Sequence, residues 1–337
     1  MKKKTEIKTT EVKKTKVKKT EAKKTEEQDE IKTTYIHPLT DFGFKKLFAT
    51  EANKELLIDF LNEVLKEAGL ITDIQYMPTF QLGRLENDRK AVFDIFCTND
   101  KKEYFVVEMQ KAKEPYFVDR SLFYSTFPIQ SQAPQGVWDF NLKPVYVVSI
   151  LDFKIFEEKE DAEHVIERIY LMRERTQERF SNKLNFVYVE LPKFNKAITE
   201  LETNMDRWLF CLKNLQSLDQ RPKEVQGRVF ERLFKAAEIK QLTSEEMETY
   251  KQNVTEYNDI RRCIAYAAEQ NLIKGEQIGL MKGEQIGLMK GRRETNFLIY
   301  TNLRTLGVPD NTIPQFMGLS EDEVAELEVK WRSSLNN

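Results

Sequence analysis

Residues 90–111, KAVFDIFCTNDKKEYFVVEMQK, set two apolar runs on either side of Asn99-Asp100. A turn pair between two such runs predicts a β-hairpin. Centring the hairpin near Lys101 sets position 94 opposite position 108, since both are equidistant from 101. Side chains alternate along a strand, so Phe93, Ile95 and Cys97 are expected to share a fully apolar face with Phe105, Val107 and Met109. The other face takes Val92, Asp94 and Phe96 on one strand and Val106, Glu108 and Gln110 on its partner. Two carboxylates then lie side by side in an apolar sheet. Like charges directly opposite destabilise a sheet, and burying them costs several kcal/mol each unless they are paired. One resolution is a solvated face with lysine partners. The other is a divalent cation between Asp94 and Glu108. Mg²⁺ suits that place, because it is commonly held by one or two carboxylates with water and phosphate oxygens completing the octahedron. Such an ion activates a water and stabilises charge growing on a phosphate. The assignment depends on register, which a one-residue slip would invert.

The elements around the hairpin fix the fold class. Thr40 is placed to cap a short helix starting at Asp41. A second helix follows Thr50, with Leu57, Phe60, Leu61, Val64 and Leu65 on one face and Gly69 at its end. Strand-like runs follow at 72–82, 90–98, 103–111, 144–153, 165–175 and 184–191, with a helical stretch at 116–132 between the third and fourth. Helical patterns then occupy 196–216, 222–240 and 244–272. The order α, β, β, β, α, β, β, β and then helices predicts an α/β (α+β) mixed sheet flanked by helices, with a helical region after it.

The ends of the chain differ from this body. Residues 1–25 read as five pentapeptides ending in Thr, with 11 Lys and 3 Glu. With so little apolar mass, 1–33 is expected to be disordered. Its basic charge would add non-specific DNA affinity, or it simply solubilises. At the other end KGEQIGLM occurs twice in 274–289, with glycine at 275, 279, 283, 287 and 291. Each glycine costs about 1 kcal/mol in an exposed helix interior, so this segment reads as a weakly helical connector ordered by self-association or as a duplicated spacer. In 292–337, Gly307 and Pro309 interrupt a small helical unit, and Ser320 with Glu323 forms a capping box for the last helix. That helix opens Glu321-Asp322-Glu323, which is poor chemistry beside phosphates; packing or oligomerisation suits it better.

Charge and composition exclude several classes. The chain carries −2 overall and the first 25 residues +8, so the rest carries −10. It is no generic basic nucleic-acid binder, and a DNA contact needs a local basic patch or a metal. Three scattered cysteines and two histidines speak against a disulfide framework, a Cys-rich zinc site and a His-based metal site. No apolar run reaches membrane-helix length and no leader-like segment opens the chain. A reducing cytoplasm is the expected compartment.

Asp94, followed on the next strand by Glu108-Met109-Gln110, is similar to the D…(D/E)-x-K motif of the PD-(D/E)xK nucleases. Thr40-Asp41-Phe42-Gly43-Phe44-Lys45-Lys46-Leu47-Phe48 and Leu57-Ile58-Asp59-Phe60-Leu61-Asn62 extend the likeness. So do Asp119-Arg120-Ser121-Leu122-Phe123-Tyr124 and Pro144-Val145-Tyr146-Val147-Val148-Ser149-Ile150. Together they resemble the Rpn-type recombination-promoting nucleases, also labelled PD-(D/E)xK family transposases, closely over 35–190 and loosely over the helical tail. The resemblance implies a restriction-endonuclease-like core and Mg²⁺- or Mn²⁺-dependent DNA cleavage in recombination, transposition or defence. It implies metal ligation by Asp94 and Glu108. Gln110 stands where the superfamily has lysine, and a glutamine orients water only through neutral hydrogen bonds. Asp41 is either a third acid or a helix-dipole cap. Lys45 is a candidate phosphate contact or a solvated helix lysine. Arg120 and Tyr124, one helical turn apart, either meet DNA or brace the site.

The expected organisation is a tail at 1–33, a nuclease-like domain at 35–192, a helical region at 193–272 and a Gly-repeat connector with a small helical tail at 273–337. DNA is the expected partner, with no membrane, and self-association through the C-terminal helical region is a further expectation. A catalytically inactive DNA-binding or scaffold protein of the same fold is the competing reading.

Overall fold

The computed structural model describes residues 32–66, 68–81, 91–133, 136–157 and 163–335. The expected disordered tail, apart from residues 32 and 33, lies outside the described residues. Two units are distinguished, Met1–Thr255 and Glu256–Asn337.

The first unit opens with α1 (Asp41–Phe48), whose cap is the expected one: the Thr40 hydroxyl accepts from the Gly43 amide. Gly43 is required there, because a Cβ would sit 2.1 Å from the His37 carbonyl oxygen. Next come α2 (Lys54–Val64) and β1 (Ile74–Tyr76). α2 ends at Val64, well before Gly69, although Gly69 does adopt a positive φ of 72°. A two-stranded ribbon follows, β2 (Phe80–Gln81) with β3 (Ala91–Val92), and then β4 (Ile95–Asn99), β5 (Tyr104–Gln110) and α3 (Phe117–Ser131). The remaining strands are β6 (Val145–Leu151), β7 (Ile166–Met172) and β8 (Arg179–Glu190). β8 begins five residues earlier than the sequence pattern indicates; its start alternates exposed and half-buried positions and lacks an apolar run.

The six-stranded sheet runs β1-β4-β5-β6-β8-β7. β5, β6 and β8 are parallel, and β1, β4 and β7 pair antiparallel to their neighbours. This is the mixed sheet the element order predicts. The strands β4 and β6 are buried throughout, as expected when helices cover both faces. One face carries Phe96, Val106, Val147, Phe186 and Tyr188, packed with Phe117 of α3. Over the other lies the end of α2, whose Val64 carbonyl accepts from Arg168 of β7. Phe48 and Phe60 join Trp208 in an aromatic cluster. Trp208 belongs to α4 (Asn204–Asn214), and α5 (Arg228–Ala237) adds Phe230 to it. Both helices are shorter than the expected 196–216 and 222–240.

α6 (Ser244–Thr305) is one continuous α-helix. The sequence pattern ends a helix at 272 and continues with a weakly helical connector; the glycines are instead inside the helix. Their surroundings are open, with no described atom within 4 Å of a Cβ built at Gly275, Gly279, Gly283, Gly287 or Gly291. In the second unit, Tyr300, Ile313 and Val324 form a small core with α7 (Ile313–Met317) and α8 (Glu321–Leu335). Gly307 has a φ of 76° between α6 and α7, and the Ser320–Glu323 capping box forms as expected.

Candidate active site

The hairpin has the expected register. Ile95 pairs with Val107 and Cys97 with Phe105, which carries Asp94 to the position facing Glu108. Asn99 organises the turn: its side-chain oxygen accepts from the amides of Lys101 and Glu103. The far end departs from simple alternation. Residues 93 and 94 leave the strand at a bend between β3 and β4. Phe93 therefore does not join Ile95 and Cys97; it packs with Phe96 and Val106 on the opposite face, its ring 5.4 Å from that of Phe96. Val92 is 57% exposed. A bend shifts parity by breaking the two-residue repeat on which it rests.

The bend frees two backbone amides, and the carboxylates take them. The Met109 amide donates to Asp94 Oδ2 at 2.8 Å, and the Asp94 amide donates to Glu108 Oε1 at 3.3 Å. Each acid thus lies against the backbone next to the other. Glu108 is 5% exposed. Burial raises the Asp94 carboxyl above the usual range, against the Met109 hydrogen bond and the charge of Lys45. Burial also raises Glu108, to about 8, and the neighbouring Asp94 charge adds to this. Desolvation and like-charge proximity both disfavour the ionised form.

The other residues singled out by sequence converge on this pair. Gln110 Nε2 donates to Glu108 Oε2 at a long 3.4 Å. Asp41 and Lys45 form an ion pair of 2.7 Å on α1, and with Asp94 they line an open cleft of about 570 Å³. On α3, Arg120 bonds Glu114 through Nη1 at 2.5 Å, while its Nη2 is enclosed without a hydrogen-bond partner. The Arg120 charge acts on both Asp94 and Glu108. Tyr124 packs edge-on against Phe93, and its hydroxyl pKa is raised by burial and by the Glu108 charge.

The sequence reading missed the far wall of the cleft. Thr79, Glu246 and Thr249 line it, and Glu246 receives Lys46 at 2.5 Å. Asn253 of α6 also accepts from the Phe42 amide at 2.8 Å, and Tyr250 from the His37 amide. The start of α6 therefore fixes α1 beside the acids. These partners lie some 200 residues away in sequence, and no local pattern marks them.

Residues 38–267 match the sequence model of the PD-(D/E)XK nuclease family transposases. The chain belongs to that family. The match runs from the turn before α1 through all six strands of the sheet into α6, and includes Asp41, Lys45, Asp94, Glu108, Gln110, Arg120 and Tyr124. Among curated proteins and among solved structures no match is found. Family membership supports a nuclease-type function, and PD-(D/E)XK nucleases generally use divalent metals.

The residues present fit such an ion in a sparse form. Among the described residues no group of three or more His, Cys, Asp or Glu is arranged to hold a metal. Asp94 and Glu108 are two hard oxygen donors in a shared, desolvated setting, and Asp41 is engaged with Lys45. That donor set matches Mg²⁺, which keeps much of its water. It suits zinc poorly, since structural zinc sites are closed four-coordinate sites and catalytic ones use three protein ligands.

Proposed function

We propose that this chain is a divalent-metal-dependent DNA endonuclease, hydrolysing phosphodiester bonds in recombination, transposition or defence. The observation that carries the reading is the pair of half-buried Asp94 and buried Glu108, with Asp94 lining an open cleft. Two like-charged acids in a sheet are unfavourable without a proton or a cation. Asp94 and Glu108 would hold Mg²⁺ or Mn²⁺, which when bound supplies an activated water and charge stabilisation at the phosphate. Backbone amides fix the two carboxylates in place.

Gln110 stands beside Glu108 and orients water by neutral hydrogen bonds. Arg120 is the phosphate-contact candidate on α3; its Nη2 is enclosed and unpartnered, so the side chain must shift to reach a phosphate, and Tyr124 lies beside it, the guanidinium carbon 5.9 Å from the ring centroid. Lys45 adds positive charge at the cleft and Asp41 keeps it oriented.

In this reading 35–192 is the nuclease domain, 193–272 a helical region bracing α1, and 273–337 an assembly element. Exposed Ile278, Leu280, Met281, Ile286, Leu288 and Met289 on α6 support self-association there. Among the described residues no helix is long and apolar enough to cross a membrane, and a cytoplasmic location fits a DNA substrate. A catalytically inactive DNA-binding or scaffold protein is favoured by Gln110, which replaces a cation with a neutral amide, and by the acidic body of the chain. Plasmid nicking with Mg²⁺, wild type against Asp94→Ala, separates the two. Nicking that Asp94→Ala abolishes supports the endonuclease; DNA binding without nicking supports the scaffold.

A further inference from the structure

The body of the chain is acidic, yet one helix turns a basic face to solvent. α5 presents Arg228, Arg232 and Lys235 at positions i, i+4 and i+7, one side of a helix over about 10 Å of its axis. They line a cleft of about 550 Å³ closed on its other side by Ala52 and Asn53. Glu231 is the acid in that lining. Arg232 is committed to structure: it pairs with Glu55 at 3.0 Å and bonds the Ala52 carbonyl, tying α5 to the connector between α1 and α2. Arg228 and Lys235 are exposed and form no ion pair among the described residues. Glu231 lies between them on the same face, and the Lys235 charge acts on Glu238, so the two cations are only partly offset.

The position of this cleft gives it a use. Ala49 and Thr50 line the Asp94 cleft, and Ala52 and Asn53 of the same connector line the α5 cleft. Arg228 also borders a further cleft of about 520 Å³, which holds the amides Asn62, Asn204 and Gln226 together with the acids Glu55 and Asp59. The connector after α1 thus borders both clefts, with Asp94 lining one and the cations Arg228 and Lys235 lining the other. Cations and amide donors are the groups that bind phosphate and sugar without reading sequence. About 10 Å of helix corresponds to roughly three steps of one DNA strand at 3.4 Å each.

We propose that the α5 cleft is a phosphate-backbone subsite, in which Arg228 and Lys235 hold the flank of duplex DNA whose cleaved segment lies at Asp94. The proposal rests on the endonuclease reading above. It explains how an acidic body admits a polyanion: positive charge is placed beside the acids instead of being spread over the surface.

The test is binding of fluorescein-labelled duplex DNA to the full chain in metal-free buffer, read by anisotropy over a salt series. Arg228→Glu combined with Lys235→Glu is compared with wild type and with Lys102→Glu combined with Lys143→Glu. The latter makes the same charge change at the opposite end of β5, on exposed residues. The α5 pair is expected to weaken binding at least about tenfold at ~0.1 M salt and to reduce the log–log salt slope by about 0.9 per lost phosphate contact. Its melting temperature should match wild type, because neither side chain is buried or paired. Wild-type affinity and slope in the α5 variant overturn the proposal, as does an equal loss in the control pair. If wild type still nicks plasmid in that case, the endonuclease reading stands and this subsite alone falls. If wild type neither binds nor nicks DNA, both fall.

Discussion

Two pairs of ionisable side chains sit on this sheet, and they are opposites. At the end of β8, Glu190 and Lys193 form an ion pair of 2.9 Å with both side chains fully buried. Glu190 also accepts the Ile155 amide at 2.7 Å, and the Lys193 ammonium lies 5.9 Å from the Phe156 ring centroid. Two strands away, the half-buried Asp94 faces the buried Glu108, two acids that would carry the same sign of charge if both ionised. The first pair neutralises its own charge within the fold, although Lys193 Nζ and Glu190 Oε1 make no hydrogen bond of good geometry. The second is incomplete, and only a proton or a cation relieves it. Burying charge is costly in both places, so the difference separates a structural use of charge from one poised for a ligand.

Breaking the self-contained pair should have the largest effect on stability. Lys193→Met leaves Glu190 buried without its partner and should destabilise the protein by about 3–5 kcal/mol, measured by urea unfolding at pH 7. Loss below about 1 kcal/mol would mean the pair is not buried in solution. The like-charged pair should respond the opposite way. Asp94→Asn should leave the metal-free protein at least as stable as wild type, because repulsion is removed.

The same variant should lose function. Plasmid nicking is expected to fall at least about 100-fold, equivalent to roughly 2.7 kcal/mol. Thermal stabilisation by Mg²⁺, seen because a ligand of the folded state shifts the equilibrium, should largely vanish. Nicking at the wild-type rate by Asp94→Asn would remove the acid pair from the mechanism.

pH sharpens the contrast next. The Glu108 carboxyl is raised from 4.5 to about 8 by burial and by Asp94. A raised carboxyl pKa in the fold contributes stability at low pH that is lost as pH rises towards the folded value. Metal-free wild type should therefore lose stability between about pH 4.5 and 8 relative to Glu108→Gln, by more than about 1.4 kcal/mol, the equivalent of one pKa unit. Mg²⁺ must displace the proton, so its stabilising effect should grow over the same window. Parallel stability curves for the two proteins would contradict this. The smallest effect is expected from Gln110→Lys. A cation beside Glu108 lowers its pKa, so the pH dependence should flatten while nicking changes by less than about tenfold. An unaltered pH profile would place the side chain away from the acids.

Much of the site was legible because it is local. The Asn99 turn and the apolar runs of 90–111 set the hairpin register, and register alone brings position 94 to position 108. The Thr40 cap could be read the same way, since a cap is a contact across three residues. The bend at residues 93 and 94 could not be read. Phe93-Asp94-Ile95 fits unbroken alternation as well as it fits a bend, and the side-chain hydrogen bonds that replace the ladder there involve the partner strand. The continuity of α6 through its glycines was also not legible, because propensity counts each glycine against the helix.

By itself, then, the sequence determined the order of elements, the hairpin pairing, the likeness to a nuclease family and which acids lie opposite each other. These follow from periodicities of two and 3.6 residues and from short-range turn chemistry. Only the tertiary structure decided which face Phe93 takes, that Glu246, Thr249 and Asn253 wall and fix the cleft, and that Arg228 and Lys235 share a cleft with Ala52 and Asn53. Those placements depend on how helices far apart in the chain dock on one another. Docking is set by the summed packing of whole faces, such as the Phe48, Phe60, Trp208 and Phe230 cluster, and no local stretch of sequence carries that sum.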